Sequence, residues 1–465
     1  MGDIPQFTDR SEDILPAEIH GVEAYISPEY ARAERDRLWR KCWLQAGRLE
    51  DIPEVGNYIT YDILDDSVLI VRAKEGTGPG ALKAFANVCT HRGRKLVDVP
   101  KGERNAHGKT ANFVCGFHAW TFDVTGDNAG TCSYIQQKME WNGALSDENT
   151  RLGEFKIDTW GGFIWINLDP QAEPLRDYLE PAATMLDPFQ LQNMRPRWRY
   201  WTIFDCNWKV ALEAFDETYH VAGTHPEFMQ FGQYVGWGRQ QGRHSHIGYD
   251  VPKGGPKEMG EAKGKLRLGD GDPRKSTAEM QKYTWEGVNT NTTETLYKVA
   301  QTLPDVLPED TAPGDVIKYW LETARKIDAD RGVHWPVVDS EHTGRSGTSW
   351  QIFPNQQIGH AVNNMLCYQA RPCGYDPDKC YFEVAVYELY PEGGAPETQW
   401  GYLAPDSFPH VLTQDFSNMA AVQQGMKNVG FRGNIPNPKN EGAVTSLHRN
   451  LARYMGTGQP QLLKP

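Results

Sequence analysis

The sequence predicts an α+β protein in which an all-β domain precedes a larger domain that mixes strands with helices. Three observations carry that expectation. From Trp43 to about Trp165 the chain runs in short β-rich segments such as YITYDI, SVLIVRA, KAFANVC and GGFIWINL, separated by turns rich in Gly, Pro and Asp. Beyond Asp169-Pro170, helix-forming stretches alternate with strand-like ones. The 465 residues are enough for two or three domains with substantial cores.

Taken in order, residues 1–42 read as an acidic lead-in followed by a helix, SPEYARAERDRLWRKCW, with Ser27 as N-cap and Pro28 at the first helical position. Residues 43–165 form the β domain, in which ITYDILDDSVLIVR reads as a hairpin closed at Asp65-Asp66. Residues 166–465 form the larger domain. It opens with the helix-friendly PLRDYLEPAATMLDPF and the strand-like MRPRWRYWTIFDCNW, and then a helix over KVALEAFDETYHVAG is expected. Residues 250–345 are polar with helical composition, an inserted excursion suited to a lid or an intersubunit element. Strands return in SWQIFPNQQIG, NMLCYQARPCG and KCYFEVAVYELYP, and FSNMAAVQQGMKN is the last helix.

The balance of 48 basic against 61 acidic residues gives a net charge of −13, which argues against a nucleic-acid binder with its basic face. No apolar run approaches the length of a membrane span. The N-terminal MGDIPQFTDRSEDILPAEIHG lacks the basic start and apolar stretch of a signal peptide, so a cytoplasmic protein is expected. Eight Cys scattered along a cytosolic chain should then be reduced thiols or metal ligands rather than a disulfide framework.

Two of those Cys have histidine company. Cys89-Thr90-His91 is a C-x-H pair, and Cys115-Gly116-Phe117-His118 is a C-x2-H pair, with residues 92–114 between them. One Cys and one His on each of two loops is the ligand set of a Rieske [2Fe–2S] centre, two thiolates on one iron and two imidazoles on the other. Mixed Cys/His sets also bind structural zinc. The flanking residues, His91-Arg92-Gly93 and His118-Ala119-Trp120-Thr121-Phe122-Asp123 with Gly126, make this stretch resemble the Rieske domain of ring-hydroxylating oxygenase large subunits. There the loops usually read C-x-H-R-G and C-x-Y-H-G-W-x-[YF]-D-x-x-G. Phe117 stands here for the usual Tyr and Ala119 for the usual Gly, and KGERNAHGKT lengthens the gap.

A second constellation lies in the larger domain. Asn207-Trp208-Lys209 leads through Glu213, Asp216 and Glu217 to His220, and His225 follows just beyond Gly223. On the expected helix, Glu217 and His220 at i and i+3 share a face. Two histidines and a carboxylate leave open positions on an octahedral Fe(II), the arrangement used for oxygen activation. The stretch resembles the N-W-K-x3-E-x5-Y-H-x4-H signature of the same family. That resemblance implies His220 and His225 as iron ligands and a late Asp, here Asp415, as the third. An Asp in that place is also explained by helix N-capping alone. The resemblance further implies that Glu217, with Asp216 as a substitute, bridges the iron's His to a Rieske His of a neighbouring subunit.

The resemblance spans nearly the whole chain, with the 250–345 excursion its least family-like part. It implies a catalytic domain of antiparallel sheet covered by helices (helix-grip, START-like). It also implies a terminal oxygenase that hydroxylates a hydrophobic, aromatic-type substrate with O2. A methylated amine or ether, oxidatively demethylated, is the alternative, and a zinc-stapled binding protein a further one. NAD(P)H would act indirectly through a reductase, with or without a ferredoxin, because the chain has no G-x-G-x-x-G after a strand. A head-to-tail homotrimer, with or without a small β subunit, is implied as the working unit. Phe204, Phe215, Val221, Phe228 and Phe353 are the candidate pocket residues.

Overall fold

The computed structural model describes residues 15–78, 80–129, 141–231, 236–249 and 271–464. The first part of the lead-in and the stretch 250–270 of the excursion lie outside the described residues. Contacts divide the chain into Arg32–Tyr178 and a larger unit made of the residues up to Ala31 with Leu179–Pro465.

The smaller unit is an antiparallel seven-stranded sheet ordered Leu44–Arg48, Phe163–Asn167, Glu154–Trp160, Leu82–Ala86, Asp66–Arg72, Asn57–Ile63 and His107–Lys109. The hairpin expected at Asp65-Asp66 turns one residue earlier. Ile63 pairs with Asp66, so the two-residue turn is Leu64-Asp65, and Leu64 takes a left-handed φ of 52°. A separate two-stranded ribbon, Asn112–Val114 with Thr121–Asp123, carries the loop between Cys115 and His118. Both Cys-bearing loops sit on one apolar cluster that includes Leu69, Phe85, Phe113, Trp120 and Phe122.

The larger unit is built on an eight-stranded sheet ordered Gly236–Gln241, His244–Tyr249, Ser349–Ile352, Gln356–His360, Asn364–Pro372, Cys380–Glu388, Arg195–Phe204 and Gly401–Tyr402. All neighbours are antiparallel except the last pair. The two longest pairings lie on either side of Cys380–Glu388: Asn364–Pro372 is buried throughout, whereas Arg195–Phe204 carries three Arg and alternates buried with partly exposed residues. Helix His410–Met426 docks on this sheet through Phe416, whose ring lies 4.8 Å from Phe204, 5.1 Å from Phe408 and 5.8 Å from Phe382. Gln423 of the same helix accepts from the Asn207 backbone N–H at 3.1 Å and donates to the Tyr25 carbonyl at 3.1 Å. It thereby ties the lead-in to the helix that follows Asn207.

The excursion is a packed helical unit. Helices Pro273–Tyr283, Glu294–Val306, Pro313–Asp330 and Ser340–Ser346 occupy most of its described part. Leu296, Val299 and Leu303 meet Val316, Trp320 and Trp335 in a core of their own. Within it the buried Asp328 carboxylate accepts from Thr295 Oγ1 at 2.6 Å, Trp335 Nε1 at 2.7 Å and Arg331 Nε at 2.9 Å. Polar composition concealed amphipathic helices whose apolar faces pair with one another. Among the described residues no helix is long and apolar enough to cross a membrane.

Candidate iron centres

In the smaller unit the two Cys loops are geometric copies. Gly93 N–H donates to the Cys89 carbonyl at 2.9 Å, and Ala119 N–H donates to the Cys115 carbonyl at 2.9 Å. Cys89 N–H in turn reaches the Arg94 carbonyl at 2.8 Å, and Cys115 N–H the Trp120 carbonyl at 2.7 Å. The fifth residue of each turn is left-handed, Gly93 at φ 77° and Ala119 at φ 55°. Each turn points its Cys inward and aims backbone N–H groups at the sulfur. Burial pushes the Cys89 thiol up, whereas Cys115, despite its own burial, is held below its usual value by the Phe117 and His118 N–H groups and by Cys89. Cys115 is thus the easier of the pair to ionise to the thiolate that binds metal.

The His91 and His118 rings lie 4.6 Å apart, with His91 stacked on Trp120 at 4.9 Å. Both Nδ1 atoms are buried with no hydrogen-bond partner. A buried polar atom without a partner is costly, so the pair fits a group that supplies a bond to each ring. Among the described residues only one trio of His, Cys, Asp or Glu has its donor atoms within 4.8 Å of one another, and it lies elsewhere. The two thiols neighbour each other and the two rings neighbour each other, a pairing that suits a two-iron cluster.

That trio is His220, His225 and Asp415. His225 Nε2 stands 2.8 Å from Asp415 Oδ1, and His220 Nε2 stands 3.5 Å from the same oxygen. Both rings are oriented from behind. His220 Nδ1 lies 2.6 Å from Glu217 Oε1, and His225 Nδ1 lies 2.7 Å from Gln414 Oε1. Such partners fix the tautomer and aim each Nε2 at the common point. Burial opposes charge on His220, but Glu217, with Asp415 and Glu441 nearby, holds its pKa above the ordinary value in the metal-free chain.

The local structure differs from the expected continuous helix. Asn207 caps a helix that covers only Trp208–Glu213; residues 214–220 turn, and Val221–Thr224 is a separate short helix. Glu217 and His220 meet through a side-chain-closed turn in which the Glu217 carboxylate accepts from the Tyr219 and His220 backbone N–H groups. That competition for backbone donors keeps the helix, which ends at Glu213, from resuming before His220. Glu213 points into a different network, with Tyr25 Oη at 2.9 Å and His448 Nε2 at 2.7 Å. Asp216 is wholly buried with neither carboxylate oxygen hydrogen-bonded, and burial beside Glu213 and Glu217 pushes it far above the usual carboxylate range. Asp415 lies inside helix His410–Met426, past its first turn, so it is not the N-cap; that place belongs to Pro409.

A cavity of about 390 Å³ reaches His220 and His225. Of the candidate pocket residues, Phe215, Val221 and Phe228 line it. Phe204 packs instead on Phe382 and Phe416, and Phe353 on Tyr454. Met280, Gln281 and Thr284 of the excursion also line the cavity, a contribution that polar composition did not signal. Gln414 was likewise missed, since a Gln beside an Asp carries no sequence pattern.

Two family models match this chain: the ring hydroxylating alpha subunit (catalytic domain) over residues 175–457 and the Rieske [2Fe-2S] domain over residues 42–139. The chain belongs to the ring hydroxylating alpha subunit family. A Rieske [2Fe–2S] cluster and a mononuclear iron are therefore its cofactors. Family relatives include the carnitine monooxygenase oxygenase subunit of Acinetobacter baumannii, 28% identical over 209 residues that cover 44% of this chain and 52% of that one. Another is the large oxygenase component of the naphthalene 1,2-dioxygenase system of Pseudomonas putida, 32% identical over 224 residues, 47% of this chain and 45% of that one. The matches thus span about half the length of these curated relatives. The fold is that of a solved quaternary ammonium Rieske monooxygenase, with a TM-score of 0.61 at 17% identity over 97% of this chain and 100% of that one.

Proposed function

We propose that the chain is a terminal oxygenase that hydroxylates a neutral hydrophobic, aromatic-type substrate. The observation that carries this reading is the convergence of His220, His225 and Asp415 beside a half-open cavity lined in part by Phe215, Phe228, Tyr249 and Tyr368. When bound, the cluster supplies electrons singly and the iron supplies the centre for O2 activation. Cys89, Cys115, His91 and His118 would hold the first; His220, His225 and Asp415 would hold the second.

The chain's own residues set the rest. Phe215 and Tyr368, stacked at 4.0 Å, and Phe228 present flat apolar faces, while Gln281, Asn364 and His360 offer hydrogen bonds. The described lining residues include no Lys or Arg. A neutral substrate suits these described lining residues, which set no cation opposite a carboxylate; a methylated amine or ether is the alternative.

Glu217 rather than Asp216 is the bridge toward a neighbouring subunit. Its carboxylate reaches His220, and it also lines a second cavity of about 470 Å³ with Asp415, Val422, Phe431 and Ile435. Those last three side chains are exposed, an apolar rim suited to an adjoining copy in a head-to-tail trimer. A separate reductase, with or without a ferredoxin, would deliver electrons from NAD(P)H.

Iron, zinc and acid-labile sulfide analysis on anaerobically purified protein tests the reading, with EPR after dithionite reduction. About three irons and two sulfides per chain with a Rieske-type signal are expected; zinc without sulfide would overturn it. With reductase and NADH, O2 uptake should rise with neutral aromatic compounds and not with carnitine or glycine betaine.

A further inference from the structure

The excursion supplies part of the polar lining of the cavity beside His220 and His225, and one of its groups is held in a fixed orientation. Gln281, on helix Pro273–Tyr283, lines that cavity and is only 5% exposed. Its Oε1 accepts from the Thr292 hydroxyl at 2.6 Å. Thr292 is wholly buried and stands on a segment clamped from the sheet. The Arg197 guanidinium donates to the Thr292 carbonyl at 3.2 Å and to Asn289 Oδ1 at 3.0 Å, and Trp198 Nε1 donates to the Asn289 carbonyl at 3.1 Å. Arg197 is itself paired with Glu388 and lies over the Trp285 ring at 4.9 Å.

That clamp decides which end of the amide meets a ligand. Among the described residues the Thr292 hydroxyl has one acceptor, Gln281 Oε1. Turning the amide over would set its NH2 against the hydroxyl oxygen and leave a buried hydroxyl proton with no acceptor, a costly arrangement. Oε1 therefore stays on Thr292. Nε2, which makes no hydrogen bond to a described residue, is left on the cavity side. An amide NH2 on a side chain so deeply buried is satisfied only when something in the cavity brings it an acceptor.

We propose that Gln281 is a specificity-determining residue, and that the substrate is an aromatic compound carrying a hydrogen-bond acceptor, such as a ketone, ether or nitro oxygen, which Gln281 Nε2 binds. This rests on the reading of the cavity as an aromatic substrate site and narrows it. Phe215 and Tyr368 offer flat apolar faces to the ring, and the excursion selects the substituent.

The test is calorimetric titration of the full-length protein, cluster in place, with three probes of similar size. They are 1-indanone, which has only an acceptor, indole, which has only a donor, and indane, which has neither. In Gln281→Met the ratio of 1-indanone to indane affinity should fall by about three- to tenfold, with indane itself held within about threefold. Thr292→Val releases the amide to turn over, so indole should gain on 1-indanone by about threefold with Gln281 still in place. The thermal midpoint is recorded for each variant. A side chain with only a structural role would move all three affinities together, and a fall shared equally by the three probes in both variants would overturn the assignment. So would an unchanged ratio in Gln281→Met with all three probes bound, an outcome that leaves the aromatic site standing. If the original protein bound none of the three, the assignment would fall together with the aromatic reading beneath it.

Discussion

Ala119 occupies, in the second Cys loop, the left-handed position that Gly93 occupies in the first. An L-residue in that region costs about 1–2 kcal/mol, whereas Gly adopts it freely at some expense in unfolded-state entropy. Ala119→Gly should therefore raise stability by roughly 0.5–1 kcal/mol, measured as a shift of the denaturation midpoint at constant m-value. A loss of stability would mean that the Ala119 methyl packs usefully. A second residue-scale expectation concerns His20, whose pKa is lowered to about 3 by burial, with His448 and Arg449 adding to the effect. In the unfolded chain it binds a proton near its ordinary value, so between those two pKa values the unfolded state holds more protons. Stability should thus be full above about pH 6.5 and fall by up to about 1.4 kcal/mol per pH unit below it. His20→Gln should flatten that slope in denaturant titrations between pH 4.5 and 7; an unchanged slope would show that another group is responsible.

At the scale of elements, helix His410–Met426 positions Asp415 because its neighbour Phe416 is locked among Phe204, Phe382 and Phe408. Phe416→Ala should cost about 3–5 kcal/mol and lower iron occupancy at the mononuclear site, read by metal analysis alongside thermal melting. Iron retained at full occupancy would show that Asp415 is held by its own ligation instead. The turn that joins Glu217 to His220 explains why the sequence misled at this element. KVALEAFDETYHVAG has helical composition, yet a carboxylate able to accept from two following N–H groups offers the backbone an alternative that propensity does not weigh. The two Cys/His pairs were legible because their ligand chemistry imposes spacing along the chain. His220 and His225 were legible for the same reason. Gln414, behind His225, and Met280, Gln281 and Thr284, in the cavity wall, were not, since tertiary packing between segments far apart in sequence brings them to the site.

At the scale of the whole molecule, the strand-rich and mixed regions were legible from periodicity and turn residues, while the helical excursion's core was not, because its apolar faces are narrow stripes in a polar composition. The proposed electron route makes the sharpest demand at this scale. If each chain's iron is served by another chain's cluster through Glu217, no single chain is a complete catalyst. Cys89→Ser removes a cluster ligand and leaves His220, His225 and Asp415 untouched; His225→Ala does the reverse. Each variant alone should be inactive. After subunit exchange in equal amounts, a head-to-tail ring pairs an intact donor with an intact acceptor at about one interface in four, so activity should recover to roughly a quarter of the original. Transfer within one chain would give no recovery, since no chain in the mixture carries both intact sites. A third variant separates docking from conduction: Glu217→Gln, loaded with saturating iron, should keep ring assembly, measured by light scattering, yet lower NADH-driven turnover per bound iron by about 10- to 100-fold. Full turnover in Glu217→Gln would place the route through some other group at that face.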